Sequence, residues 1–169
     1  MALATAEAIR DRVYTLLEAL TPSSLSSIKF LRYRNEAGAD FNEWAEKNPT
    51  AALRRFQVRE VGDDEPPLVT HLTRETVRVR LEIRIAYPHT HRYGPANGMD
   101  RDDVANADWK QIKYAITGTG GSGKANFTSA TDGQYDCTPL AESTKSREQG
   151  GKIDYLVALV GYEYIRATV

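Results

Sequence analysis

The chain has one cysteine, Cys137, among its 169 residues, so no internal disulfide can form and the fold must stand on its core. At this length it can, because a single domain of this size buries most of its apolar surface without a covalent or metal staple. Charge of one sign is also missing. Lys and Arg number 22 against 23 Asp and Glu, a formal net charge of −1, which excludes whole-molecule attraction to nucleic acid or anionic membrane and leaves only local patches. Long hydrophobic runs are absent too: the longest surrounds Tyr155 to Val160, far below the roughly 20 residues of a membrane helix. The opening Met-Ala-Leu-Ala-Thr-Ala-Glu-Ala-Ile-Arg lacks the apolar run of a secretory signal, so synthesis in the cytoplasm and no membrane partner are expected. No internal repeat is visible.

The strongest pattern present runs from Thr76 to Tyr87. Val77, Val79, Leu81, Ile83 and Ile85 alternate with Arg78, Arg80, Glu82 and Arg84, a period of two that predicts one long strand with a dry face and a charged face. A sheet covered on one side only is expected to be mostly antiparallel. Ile153 to Val169 is apolar on both faces and suits a central strand of that sheet. Two main helices are expected to pack against it. The first, Thr5 to Leu20, has Thr5 as N-cap, a stripe of Ile9, Val13, Leu16, Leu17 and Leu20, and a stop at Thr21-Pro22. The second opens near Asp100 with Asp102 and Asp103 in its first turn, carries Val104, Ala107, Ile112, Ala115 and Ile116 inward, and ends at Gly118.

Shorter elements fill the gaps. Ile28–Arg34 and Phe56–Val61 read as strands, Asp40–Glu43 has capping-box spacing for a brief helix through Trp44 that Pro49 ends, and Leu68–Leu72 either pairs with the Thr76 strand or runs into it. His89–Met99 is a polar loop with Gly94-Pro95 and Asn97-Gly98 turn signals. Residues 118–152 are rich in Gly, Ser, Thr and Asp. A long flexible loop or a hairpin arm turning at Asp132-Gly133 is expected there, within a single α+β domain spanning residues 1–169.

Several local patterns invite a chemical reading. Gly118 to Ala125 nearly spells a phosphate-binding loop, yet it follows a helix instead of leading from a strand into one, and Ala125 stands where a hydroxyl would meet magnesium. His89 and His91 could present two imidazoles to a metal, with His71, Cys137 or an aspartate as third ligand, but the spacing alone completes no ligand set. No G-x-S-x-G elbow occurs, and Cys137 lacks a reactive context. Catalytic residues, metal and cofactor are therefore all expected to be none. The arginines of the alternating strand, with Arg54, Arg55 and Arg59, make either a solvated face or a contact surface for a subunit or nucleic acid, and Glu82 within the stripe favours a protein.

The order of elements, with Arg78 to Pro88 ending the long strand and Val160 to Arg166 in an aromatic last strand, resembles the tail terminator or tail-completion proteins of long-tailed bacteriophages and the related neck proteins. The resemblance implies a virion protein made in the host cytoplasm: a homo-oligomeric ring, usually a hexamer, capping the tail tube. Its implied partners are the tail tube protein and a neck or connector protein, with DNA passing through the lumen without specific binding. A closed ring needs a head-to-tail contact between two different patches. The residues expected in it are Arg78, Arg80, Glu82, Arg84, Trp44, His89, His91 and Tyr93, and reversal of Arg80 and Arg84 to Glu should impair assembly while sparing the fold. A head-completion or connector ring is the nearest alternative. A metal- or nucleotide-dependent nucleic-acid-processing enzyme and a small protein-binding module remain open as alternatives from other classes.

Overall fold

The computed structural model describes residues 5–35, 38–62, 69–71, 74–89, 91, 93, 100–117, 127 and 137–167. Its order is α1 (Ala6–Ala19), β1 (Leu31–Arg32), α2 (Phe41–Lys47), α3 (Pro49–Ala52), β2 (Arg55–Glu60), β3 (Val69–His71), β4 (Arg74–Pro88), α4 (Arg101–Ile116), β5 (Cys137–Gln149) and β6 (Ile153–Ala167). The strands form one sheet ordered β1-β2-β4-β6-β5, with β3 paired to β4. Every pairing is antiparallel except β1 with β2. The α+β class and the central place of the last strand stand as the sequence reading has them.

Strict alternation on β4 sorts its side chains. Val77, Val79, Leu81, Ile83, Ile85 and Tyr87 point to one face, where Leu156, Ala158, Val160, Tyr162 and Tyr164 of β6 join them. Over this face lie α1, through Ile9, Val13 and Leu17, and α4, through Val104, Ile112 and Ile116. Thr5 caps α1 by accepting the Ala8 N–H, and Asp100 and Asp103 close a reciprocal capping box on α4.

The second face is not bare throughout. At the end of the sheet where β4 finishes and β6 begins, Phe41 and Ala45 of α2 and Ala52 of α3 pack on Ala86, Ile153, Tyr155 and Val157. The first of these helices ends at Lys47, just before Pro49, as the sequence reading has it. Pro49 opens α3 at a first-turn position, where its missing N–H costs nothing. Asp40 caps α2 by accepting the Asn42 N–H, without the reciprocal Glu43 bond that the spacing suggested.

Residues 137–149 of the expected loop or hairpin arm are a 13-residue strand, β5, paired with β6 over Cys137–Pro139 and Ser143–Gln149. The hairpin turns at Gly150–Ile153, with the Gly150 N–H donating to the Ile153 carbonyl at 2.7 Å. A polar strand is invisible to hydrophobic patterning when its partner, not its own side chains, supplies the apolar face. The glycine-rich Gly118–Ala125 segment and Asp132-Gly133 lie outside the described residues. No helix of the described residues is long and apolar enough to cross a membrane.

Candidate contact surface

Beyond the reach of α2, the second face of the sheet is open. Register places Arg78 opposite Glu163, Arg80 opposite Gly161 and Glu82 opposite Leu159, with Arg59 of β2 opposite Glu82 on the other side. Arg78 Nε lies 3.3 Å from Glu163 Oε2 and Arg59 Nε 2.9 Å from Glu82 Oε1. Leu159, 40% exposed, stands among these charges, and Gly161 beside it presents no side chain. The result is a shallow polar surface with an apolar centre, an arrangement suited to a protein contact.

The expected stripe of four charges is divided in two by burial. Arg78 and Arg80 belong to the open surface, whereas Glu82 and Arg84 are buried. Arg84 donates to Glu148 Oε2 at 2.6 Å, to Asn42 Oδ1 at 3.3 Å and to Glu82 Oε1 at 3.4 Å, with its guanidinium 5.4 Å from the Tyr155 ring centre. Desolvation, helped by the nearby Glu46 charge, pushes the Tyr155 phenol up to about 12. Arg84 thus ties α2 and β5 to β4 from inside.

Trp44 packs against the smaller core, 5.1 Å from the Tyr33 ring and 5.9 Å from the Arg55 guanidinium. His89, His91 and Tyr93 lie elsewhere, at the start of α4. His89 Nε2 is 2.7 Å from Asp154 Oδ1, while His91 meets Tyr93 edge-on at 5.0 Å. Burial and the Arg54 charge lower the His91 pKa. Tyr93 is buried, its hydroxyl donating to the Pro88 carbonyl at 2.8 Å, and burial raises its pKa. These three do not join the arginine surface.

They border instead a charged cluster around buried Asp154. Arg101 reaches Asp154 Oδ2 at 2.6 Å and Arg147 reaches the same oxygen at 2.8 Å, while Arg147 also pairs with Asp102. A cleft of about 520 Å³ beside it is lined by His89, His91, Tyr93, Asp100, Arg101 and Asp102. Each arginine is already engaged by a carboxylate, so the cluster acts as a clamp between α4 and the β5–β6 hairpin. Among the described residues, no group of three or more His, Cys, Asp or Glu is placed to hold a metal ion.

One network escaped the sequence reading. Arg54 and Asp108, both wholly buried, form a two-pronged pair, Nε to Oδ2 and one terminal nitrogen to Oδ1, each 2.8 Å. The remaining donors of Arg54 go to the carbonyls of Ser24, Leu25 and Ile28, and the Tyr87 hydroxyl donates to Asp108 Oδ2. Burial pushes the Asp108 carboxyl up, against the downward pull of Arg54 and Tyr87. A signal existed: Asp108 falls four residues from both Val104 and Ile112, on the apolar stripe of α4.

The chain matches no family model, and no curated protein is similar to it.

Proposed function

We propose that this chain is the subunit of a ring that caps the tail tube of a long-tailed bacteriophage and joins it to the neck, a tail terminator. The observation that carries the reading is the half-open sheet. Helices α1 and α4 cover one face over β2, β4 and β6, α2 and α3 cover one end of the other, and the remainder exposes Arg59, Arg78, Arg80, Leu159 and Glu163 on its strands. The order of elements along the chain supports the same reading through its resemblance to the terminator and neck proteins. In the ring, the open surface meets a different patch on the next subunit, as a head-to-tail contact requires. The subunit then works by shape and position, with the tube protein on one side of the ring, a neck or connector protein on the other, and DNA passing through the lumen.

Light scattering of the purified protein across concentration, with negative-stain images, tests this. Closed rings of one size, six subunits around, are expected, and these rings should sit on the ends of assembled tail tubes. A monomer at every concentration, with or without tubes, would overturn the ring. Rings that ignore tube ends and bind the head connector would place the protein one step further up the neck.

A further inference from the structure

The two edges of the sheet are treated differently. On the β2 edge, Phe56 is paired by β1, and the next outward residue, Val58, is sealed by a side chain: its N–H donates to the Tyr14 hydroxyl at 2.8 Å, which donates back to the Val58 carbonyl at 3.0 Å. Tyr14 is buried, and the Arg32 guanidinium lies 3.8 Å from its ring centre. The Phe56–Val58 stretch of that edge is closed to a further strand.

At the other edge stands β5. The Gly150 to Ile153 bond sets the phase of the ladder, so Thr144, Ser146 and Glu148 exchange bonds with β6, while Lys145, Arg147 and Gln149 turn N–H and C=O outward. Among the described residues nothing pairs with these groups. A register shift between Pro139 and Ser143 limits the regular edge to Ser143–Gln149, about 20 Å of backbone. Charged side chains often guard such an edge. Here they are drawn off it: Lys145 reaches Asn106 Oδ1 at 2.5 Å, and Arg147 is held by Asp102 and Asp154.

We infer that the bare edge of β5 receives an extended segment of a second copy of this chain, so that the sheet continues across the subunit boundary. This rests on the ring reading. The neighbour's own β5 is disfavoured in the three registers that overlap the edge most fully. A twofold pairing centred on Arg147 opposes two arginines, one centred on Ser146 sets Lys145 against Arg147, and one centred on Glu148 opposes two glutamates. The neighbour's β2 is barred as well where Tyr14 occupies its edge. Pairing of the β5 edge with a different segment of the neighbour is a head-to-tail contact, the kind that closes a ring.

Hydrogen exchange read by mass spectrometry over 143–149, in the full-length protein at concentrations where light scattering shows monomer and ring, tests the inference. Backbone amides of Lys145 and Arg147 should exchange rapidly in the monomer and at least tenfold more slowly in the ring. Lys145→Pro removes an N–H that bonds nothing within the subunit, so it should fold and remain monomeric; Lys145→Ala, which keeps the N–H, should assemble. Rings whose β5 amides stay fast, or rings formed by Lys145→Pro, would overturn the edge contact and leave the ring reading standing. Slow exchange already in the monomer would show the edge covered within the chain and would overturn it too. Absence of any ring would remove both.

Discussion

Arg54 and Asp108 meet through two parallel 2.8 Å hydrogen bonds with both side chains at 0% exposure, joining the residue that leads into β2 to the middle of α4. Arg54 does so from φ 56, a left-handed backbone that costs roughly 1–2 kcal/mol. Three carbonyls of the segment after α1 complete its donors, so one side chain fastens that segment, α4 and the sheet together.

Removing one partner strands the other charge. Asp108→Ala should lower the unfolding free energy by about 3–5 kcal/mol, because the Arg54 cation is left in a dry core. Urea denaturation measures it. Arg54→Met should cost a similar amount, and the double variant less than the sum.

Tyr14→Phe removes the hydroxyl that seals Val58 and leaves both backbone groups of that residue without their partner. A loss of about 1–3 kcal/mol is expected. The Val58 amide should also exchange faster, which separates the edge seal from general loosening.

Charge reversal should separate the two halves of the β4 stripe. Arg80→Glu, on the open surface, should leave the melting temperature within a few degrees of the parent and impair ring formation by light scattering. Arg84→Glu sets a buried anion against Glu82 and Glu148 and should destabilise the subunit itself, by roughly 3 kcal/mol or more. The sequence-based expectation that both reversals spare the fold is therefore kept for Arg80 and replaced for Arg84.

Gly150 lies where a Cβ would come 2.6 Å from the Ile153 carbonyl oxygen and against the Glu46 carboxylate. Gly150→Ala should destabilise by about 1–3 kcal/mol, because backbone must move. Gly151→Ala, whose nearest neighbour is the flexible Glu46 side chain at 3.3 Å, should be tolerated. Thermal melts of the two variants compare them directly.

The Arg147 guanidinium holds the Asp102 carboxyl below its ordinary value of 3.8. A carboxylate whose pKa is depressed by folding stabilises the fold above its unfolded value and loses that contribution as pH falls through the folded one. Stability should thus decline below about pH 3.8 by this route, and Asp102→Asn should flatten that part of the denaturation profile.

Much of the fold was legible in local pattern. The period of two in β4, the apolar run of β6, the Thr5 and Asp100 caps and the stripes of α1 and α4 each follow from the chain's own neighbours along the sequence. Backbone geometry alone then dictates which side chains share a face. What alternation cannot say is what lies above each face. Only the tertiary structure set Asn42 of α2 against Arg84, and Arg59 and Arg84 against Glu82, so that Glu82 and Arg84 are buried while Arg78 and Arg80 stay on the open surface. It also made β5 from a polar segment, because β6 offers a ladder that needs no apolar side chains in return. Arg54 and Asp108, 54 residues apart, likewise become partners only when the sheet and α4 close on each other. A charge finds its counter-charge through space, and the chain records only its position along a line.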